Sequence, residues 1–207
     1  MFWIALAAEI TAPSPSSPHR WFSGNDVPQY LIKRDSGLWL VPIRISVAAD
    51  GKVRDCQAEA TGQVPSLDEY TCGIIRHRAK FRPAQIDGVP AFGVYRTSIM
   101  YIVADAPWDT SKVSSPDMDV ALKSLPAGLE SPTLVKVAFA VDTNGEKSSC
   151  TGDGSAGLER VNNRPDLVAV ACDQIMKSYR ATPATVSGQP VVSVQNALVR
   201  FSALPEK

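Results

Sequence analysis

Apolar and polar residues alternate strictly along two separate stretches of this chain. In VPIRISVAADGKVRDC, residues 41 to 56, every second position is taken by Val41, Ile43, Ile45 and Val47; in VKVAFAVDTNGEKSSC, residues 135 to 150, Val135, Val137, Phe139 and Val141 do the same. A period of two predicts a strand with one buried face. Each run meets a turn dipeptide, Asp50-Gly51 or Asn144-Gly145. Both residues of such a pair tolerate positive φ, so a hairpin is expected, with a second strand carrying Cys56 or Cys150. The period then lengthens to that of a helix. Leu67, Tyr70, Ile74 and Ile75 share one face, as do Leu167, Val168, Ala171, Ile175 and Met176. Ser66 and Glu69 read as a capping box for the first helix, and Asn163, Pro165 and Asp166 as the start of the second. Two further helical patterns, VPQYLIKRD at 27 to 35 and MDVALKSL at 118 to 125, precede the strands.

These elements are one unit written twice. The strands superpose at an offset of 94 residues; beyond them the offset is 100, because the second copy carries a longer Gly-containing loop, DGSAGLERVNN. At that offset Cys72 meets Cys172, FRPA at 81 to 84 meets ATPA, and DGVP at 87 to 90 meets SGQP. Thr97, Ile99 and Tyr101 fall on Ala197, Val199 and Phe201. A repeat of this kind decides the architecture. The expected fold is α+β: two tandem α-β-β-α-β units, each a three-stranded antiparallel sheet with two helices packed on one face. The expected organisation is a leader or spacer at 1–19, a first domain at 20–105, a linker at 106–116 and a second domain at 117–207.

The four cysteines sharpen this picture. They are even in number and never spaced C-x-x-C, which argues against zinc or a redox dithiol. Cys56 with Cys72, and Cys150 with Cys172, would each close a modest loop and staple the second strand to the following helix in an oxidising compartment. Four reduced, buried cysteines are the alternative. The charges balance, with 21 basic and 21 acidic residues. Neither an excess nor a stripe of basic residues points to nucleic acid, and RHRAKFR at 76 to 82 sits where cations complement a helix C-terminus. No apolar run is long enough to span a membrane. MFWIALAA followed by ITAPSPSSPHR resembles the end of an export signal running into a spacer, so membrane association is expected only through a truncated N-terminal anchor. The two histidines, His19 and His77, stand far apart in sequence. Asp68 and Glu69 occupy a helix's first turn, and TGDGSAG lacks phosphate-loop spacing. No catalytic constellation emerges, and no cofactor or metal is implied.

NDVPQYL leading into a strand, then VAADGKVRDC, SLDEYTC, FRPA and DGVP before a closing strand, resembles the C-terminal domain of TonB, the periplasmic part of an energy transducer. The resemblance covers residues 20 to 104 and, more weakly, 117 to 203. It implies a periplasmic module that pairs its closing strand with an extended segment of a TonB-dependent outer-membrane receptor or another envelope protein, recognition by strand addition. Carried over by position, the partner-facing residues are Val94, Arg96, Ser98 and Met100 in the first copy and Val194, Asn196, Leu198 and Arg200 in the second. Pro42, inside a strand that the resemblance makes central, is expected at the strand's beginning or beside a bulge. A structural or inhibitory envelope protein that reuses the fold without receptor binding is the alternative reading.

Overall fold

The computed structural model describes residues 8–33, 37–59, 64–103, 116–155 and 161–204. From the N-terminus it runs β1 (Ile10–Thr11), β2 (Ser14–Ser16), α1 (Gln29–Ile32), β3 (Gly37–Val47), β4 (Val53–Ala58), α2 (Pro65–Arg78), β5 (Lys80–Arg82), β6 (Ala84–Ile86) and β7 (Val89–Val103). The second repeat supplies β8 (Met118–Leu122), β9 (Thr133–Val141), β10 (Lys147–Gly152), α3 (Pro165–Ser178), β11 (Ala184–Val186), β12 (Gln189–Val191) and β13 (Ser193–Ala203). Most of the linker expected at 106–116, and residues 1–7 of the leader, lie outside the described residues.

The alternating runs form strands β3 and β9, and each hairpins into β4 or β10 as their turn residues require. Only the glycines of those turns take positive φ: Gly51 at 79° and Gly145 at 87°. The turns close with Gly51 N–H donating to the Ala48 carbonyl and Gly145 N–H to that of Asp142, a type I turn followed by a left-handed glycine. A Cβ on Gly51 would stand 2.3 Å from the carbonyl oxygen of Phe81, and one on Gly145 3.1 Å from that of Ala181. Equivalent turns thus meet equivalent chain segments, which extends the repeat into three dimensions. Both expected disulfides are present, Cys56–Cys72 and Cys150–Cys172, each joining the hairpin's second strand to the helix.

The architecture corrects the sequence expectation of two separate three-stranded α+β units with paired helices. Strands of both repeats share one nine-stranded mixed sheet that is nearly closed and barrel-like, and strand outweighs helix. Three α-helices are described, and α1 has only 4 residues. The pattern at 27–35 fails because Leu31 alone is buried while Tyr30 and Ile32 stay exposed, so no apolar face exists for packing. The pattern at 118–125 becomes β8 because Met118, Val120 and Leu122 also fit a period of two, and β13 offers an edge from Val199 to Ala203 that β8 fills in parallel. Nor does the capping box form. Helix α2 starts at Pro65 with Val64 as its N-cap, and Ser66 sits inside the first turn. Pro42 lies at neither a strand start nor a bulge but well within β3. Its carbonyl accepts from Glu59 N–H, just past the end of β4, so the missing donor faces the margin where β4 runs out and the β3–β7 ladder is undisturbed.

The repeats join where β7 and β13 pair in parallel, Phe92 to Val94 against Ser193 to Gln195. Val94 is equivalent to Val194 in the repeat but opposite Gln195 in the sheet. A shift of one residue turns equivalent side chains to opposite faces. Tyr101 therefore packs with Ile43, Ile45, Leu67 and Ile75 beneath α2, whereas its counterpart Phe201 packs with Val137, Phe139, Leu167 and Ile175 beneath α3. A small third cluster, Ile10, Ala84, Ala138, Ala140 and Val194, bridges the repeats.

Candidate functional site

Strand β7 has one edge filled by β3 from Gly93 to Val103. Val89 to Ala91, before β3 begins, pair with β6, and along the other edge Phe92 to Val94 pair with β13. The two closing strands then part. Arg96 N–H donates to Asn196 Oδ1 at 2.7 Å, and the Arg96 guanidinium donates to the Asn196 carbonyl at 3.2 Å. A side chain has replaced a strand as the partner.

Strand geometry sets the direction of the main-chain groups beyond Arg96. Pro42 stands opposite Ser98 yet directs its carbonyl to Glu59, so that pair exchanges no ladder bonds, and Ser98 turns its own N–H and C=O away from β3. Every second residue does likewise. Ser98, Met100 and Ile102 carry outward main-chain groups, and no strand pairs with them among the described residues.

Beside this edge lies a cavity of about 520 Å³. Its far wall is the N-terminal arm, with His19, Trp21 and Phe22; its near wall is β7, with Ile99, Tyr101 and Ile102. The arm is held in several ways. Trp21 is buried against Phe81 with ring centres 5.2 Å apart, and Phe22 stands edge-on to Tyr101 at 6.1 Å. Pro13 crosses Gly93 so closely that a Cβ there would approach it to 2.6 Å. Asp26 accepts from Arg78 at 2.7 Å and from the Ser23 N–H and hydroxyl at 2.7 and 2.8 Å. The hydrogen bond from Arg78, helped by Ser23, lowers the pKa of the Asp26 carboxyl to about 2. The Tyr101 hydroxyl meets Thr71 at 3.0 Å, and burial pushes its pKa up to about 12. The groove wall is therefore mostly apolar, with the Tyr101 hydroxyl neutral at pH 7, and the neighbouring ion pair is internally neutralised.

Where β7 and β13 separate, a polar seam fills the gap. Arg96 meets Glu59 at 3.0 Å and Asp117 at 3.7 Å. Asp117 accepts from Leu198 N–H at 2.8 Å, and burial pushes its pKa above the usual carboxylate range despite the facing Arg96 charge. The Lys136 ammonium lies 4.5 Å from the centre of the Tyr95 ring.

Of the residues the sequence singles out on β7, Val94 and Ser98 are buried and Met100 is half-buried. Arg96 is turned into the seam. On β13, Val194, Asn196 and Leu198 are buried, and Arg200 pairs with Asp119. β13 has no free rim: β9 lines one edge, β7 and β8 take the two ends of the other, and Asn196 and Asp117 occupy the interval. Trp21 and Phe22 escape the sequence reading, and His19 is read there only as a lone histidine, because the Pro/Ser-rich stretch before them reads as a spacer, although its strands β1 and β2 pair with β6 and β5. The adjacent aromatic pair Trp21-Phe22 is the signal that could have found them.

Comparison of the chain with protein-family models, with curated proteins and with solved structures gave no match. The two disulfides point to an oxidising compartment, extracellular or periplasmic. Among the described residues no helix is long and apolar enough to cross a membrane.

Proposed function

We propose that this chain is a periplasmic binding module that captures an extended segment of another envelope protein by adding it as a strand to the outer edge of β7. The observation that carries the reading is the row of outward main-chain groups on Ser98, Met100 and Ile102 beside an apolar groove. Strand addition needs both: main-chain hydrogen bonds for affinity, and room for alternate side chains for selectivity. The TonB resemblance supplies the partner class, an extended periplasmic segment of a TonB-dependent receptor, and through it a link to energy-dependent transport. The sealed edges of β13 favour a division of labour in which the first repeat binds and the second braces it. A purely structural role is the second reading, favoured by the same sealing.

Met100→Pro tests the proposal, because it deletes one outward donor without touching the β3 ladder, as Pro42 already does on the far edge of β3. Fluorescence anisotropy with labelled N-terminal periplasmic segments of TonB-dependent receptors should show binding to the native chain. The proline variant, with an unchanged circular dichroism spectrum, should lose it. Equal binding by both chains, or none by the native one, would overturn the proposal.

A further inference from the structure

The groove beside β7 also specifies what the captured segment looks like, an inference that rests on the strand-addition reading above. A strand laid along Ser98, Met100 and Ile102 spans about five residues at ~3.3 Å each. Its side chains alternate between the two faces of the sheet. Those on the α2 side enter the space between β7 and the N-terminal arm, where they meet Trp21, Phe22, Ile99 and Tyr101. At about 520 Å³ this space is as large as a small-molecule site and exceeds what alanine or serine side chains would fill. Among the described residues that line it there is no carboxylate, lysine or arginine; His19 stands at the wall, the nearby Asp26 and Arg78 neutralise each other at 2.7 Å, and the tyrosine hydroxyl at the wall is engaged by Thr71.

We infer that the site selects a neutral, extended segment with an aromatic or large aliphatic side chain at every second position, the bulky residues seated against Trp21 and Phe22. Aromatic rings suit this wall because Phe22 and Tyr101 already meet edge to face and leave their remaining surfaces to the groove.

The test uses the full chain with its disulfides intact and three labelled heptapeptides, alternating Thr-Phe, Thr-Ala and Thr-Glu. The Thr-Phe peptide should bind about ten-fold or more tighter than Thr-Ala, the effect of burying one or two large side chains, and Thr-Glu should not bind. Phe22→Ala should shrink the preference for phenylalanine. Phe22→Trp, which fills the groove instead of emptying it, should weaken the Thr-Phe peptide and spare Thr-Ala. Equal affinity for Thr-Phe and Thr-Ala would overturn the inference while leaving strand addition intact. If the Thr-Phe preference survives Met100→Pro or N-methylation of the peptide's amides, the strand-addition reading fails and the groove's selectivity stands. A concentration-dependent dimer that blocks every peptide would mean that a second copy of this chain, not a foreign segment, fills the site.

Discussion

Asp26 ties the N-terminal arm to α2, and its titration gives that tie a pH signature. Its folded pKa, about 2, lies below the ordinary 3.8, so the folded state favours the charged carboxylate. The stabilisation is fully present above about pH 4 and is lost as pH falls through about 2. Arg78 is half exposed, so solvent screens the pair and it contributes only part of what the shift implies. Asp26→Asn should therefore lower the urea midpoint at pH 7 by roughly a few tenths molar, and the difference from the native chain should shrink below about pH 4 and close as pH falls below about 2. A gap that persists unchanged into acid would show that the substitution disturbs packing, not charge. Nothing in SGNDVP at 23 to 28 announces this role, because Asp26 acquires it only when Arg78, 52 residues away, comes within 2.7 Å.

The disulfides and the closing strand set the behaviour of the elements. Each bridge closes a loop of modest length, so replacing Cys56 and Cys72 by alanine should cost about 3 kcal/mol in denaturant unfolding, and replacing Cys150 and Cys172 about as much. Hydrogen exchange should place the loss locally, at β4 and α2 for the first pair and at β10 and α3 for the second. In β7, neighbouring positions face opposite ways. Ile99→Pro removes a ladder bond to β3 and should cost about 3 kcal/mol or more, whereas Met100→Pro should leave thermal unfolding within a few degrees of the native chain. Much of this was legible in the sequence: the alternating strands, the turn glycines, the two long helices and the cysteine pairing all follow from local pattern. MDVALKSL was not, because its apolar residues fit both periods and only the vacant edge of β13 decides between them. The candidate edge was legible as a strand but not as an edge. The resemblance implies Ser98 and Met100 as a partner-facing surface of side chains, while their outward groups lie on the main chain and depend on β13 turning away at Asn196.

At the scale of the whole molecule, the question is how firmly two such similar halves are coupled. The α2 core draws its buried residues from residues 21 to 101, and the α3 core draws its own from residues 135 to 201. Between them lie a three-residue parallel ladder, the Arg96–Asn196 hydrogen bonds, the Arg96–Asp117 and Lys136–Tyr95 contacts and a cluster made mostly of alanines. At about 1 kcal/mol net per hydrogen bond this seam contributes a few kcal/mol, less than either stapled core. A one-residue register, invisible to any repeat alignment, puts the cores on opposite faces, so neither can borrow the other's helix. Phe201→Ala should then cost about 3–5 kcal/mol, and the cost should fall on one side. In native-state hydrogen exchange the amides of β9, β13 and α3 should lose that protection, while those of β3, β4 and α2 keep most of theirs. Met100 and Ile102 should stay competent to bind, since their support comes from β3 and α2. Equal loss of protection in both halves would mean that the seam makes one cooperative unit, and that the first repeat cannot act as a receptor site without its partner repeat intact.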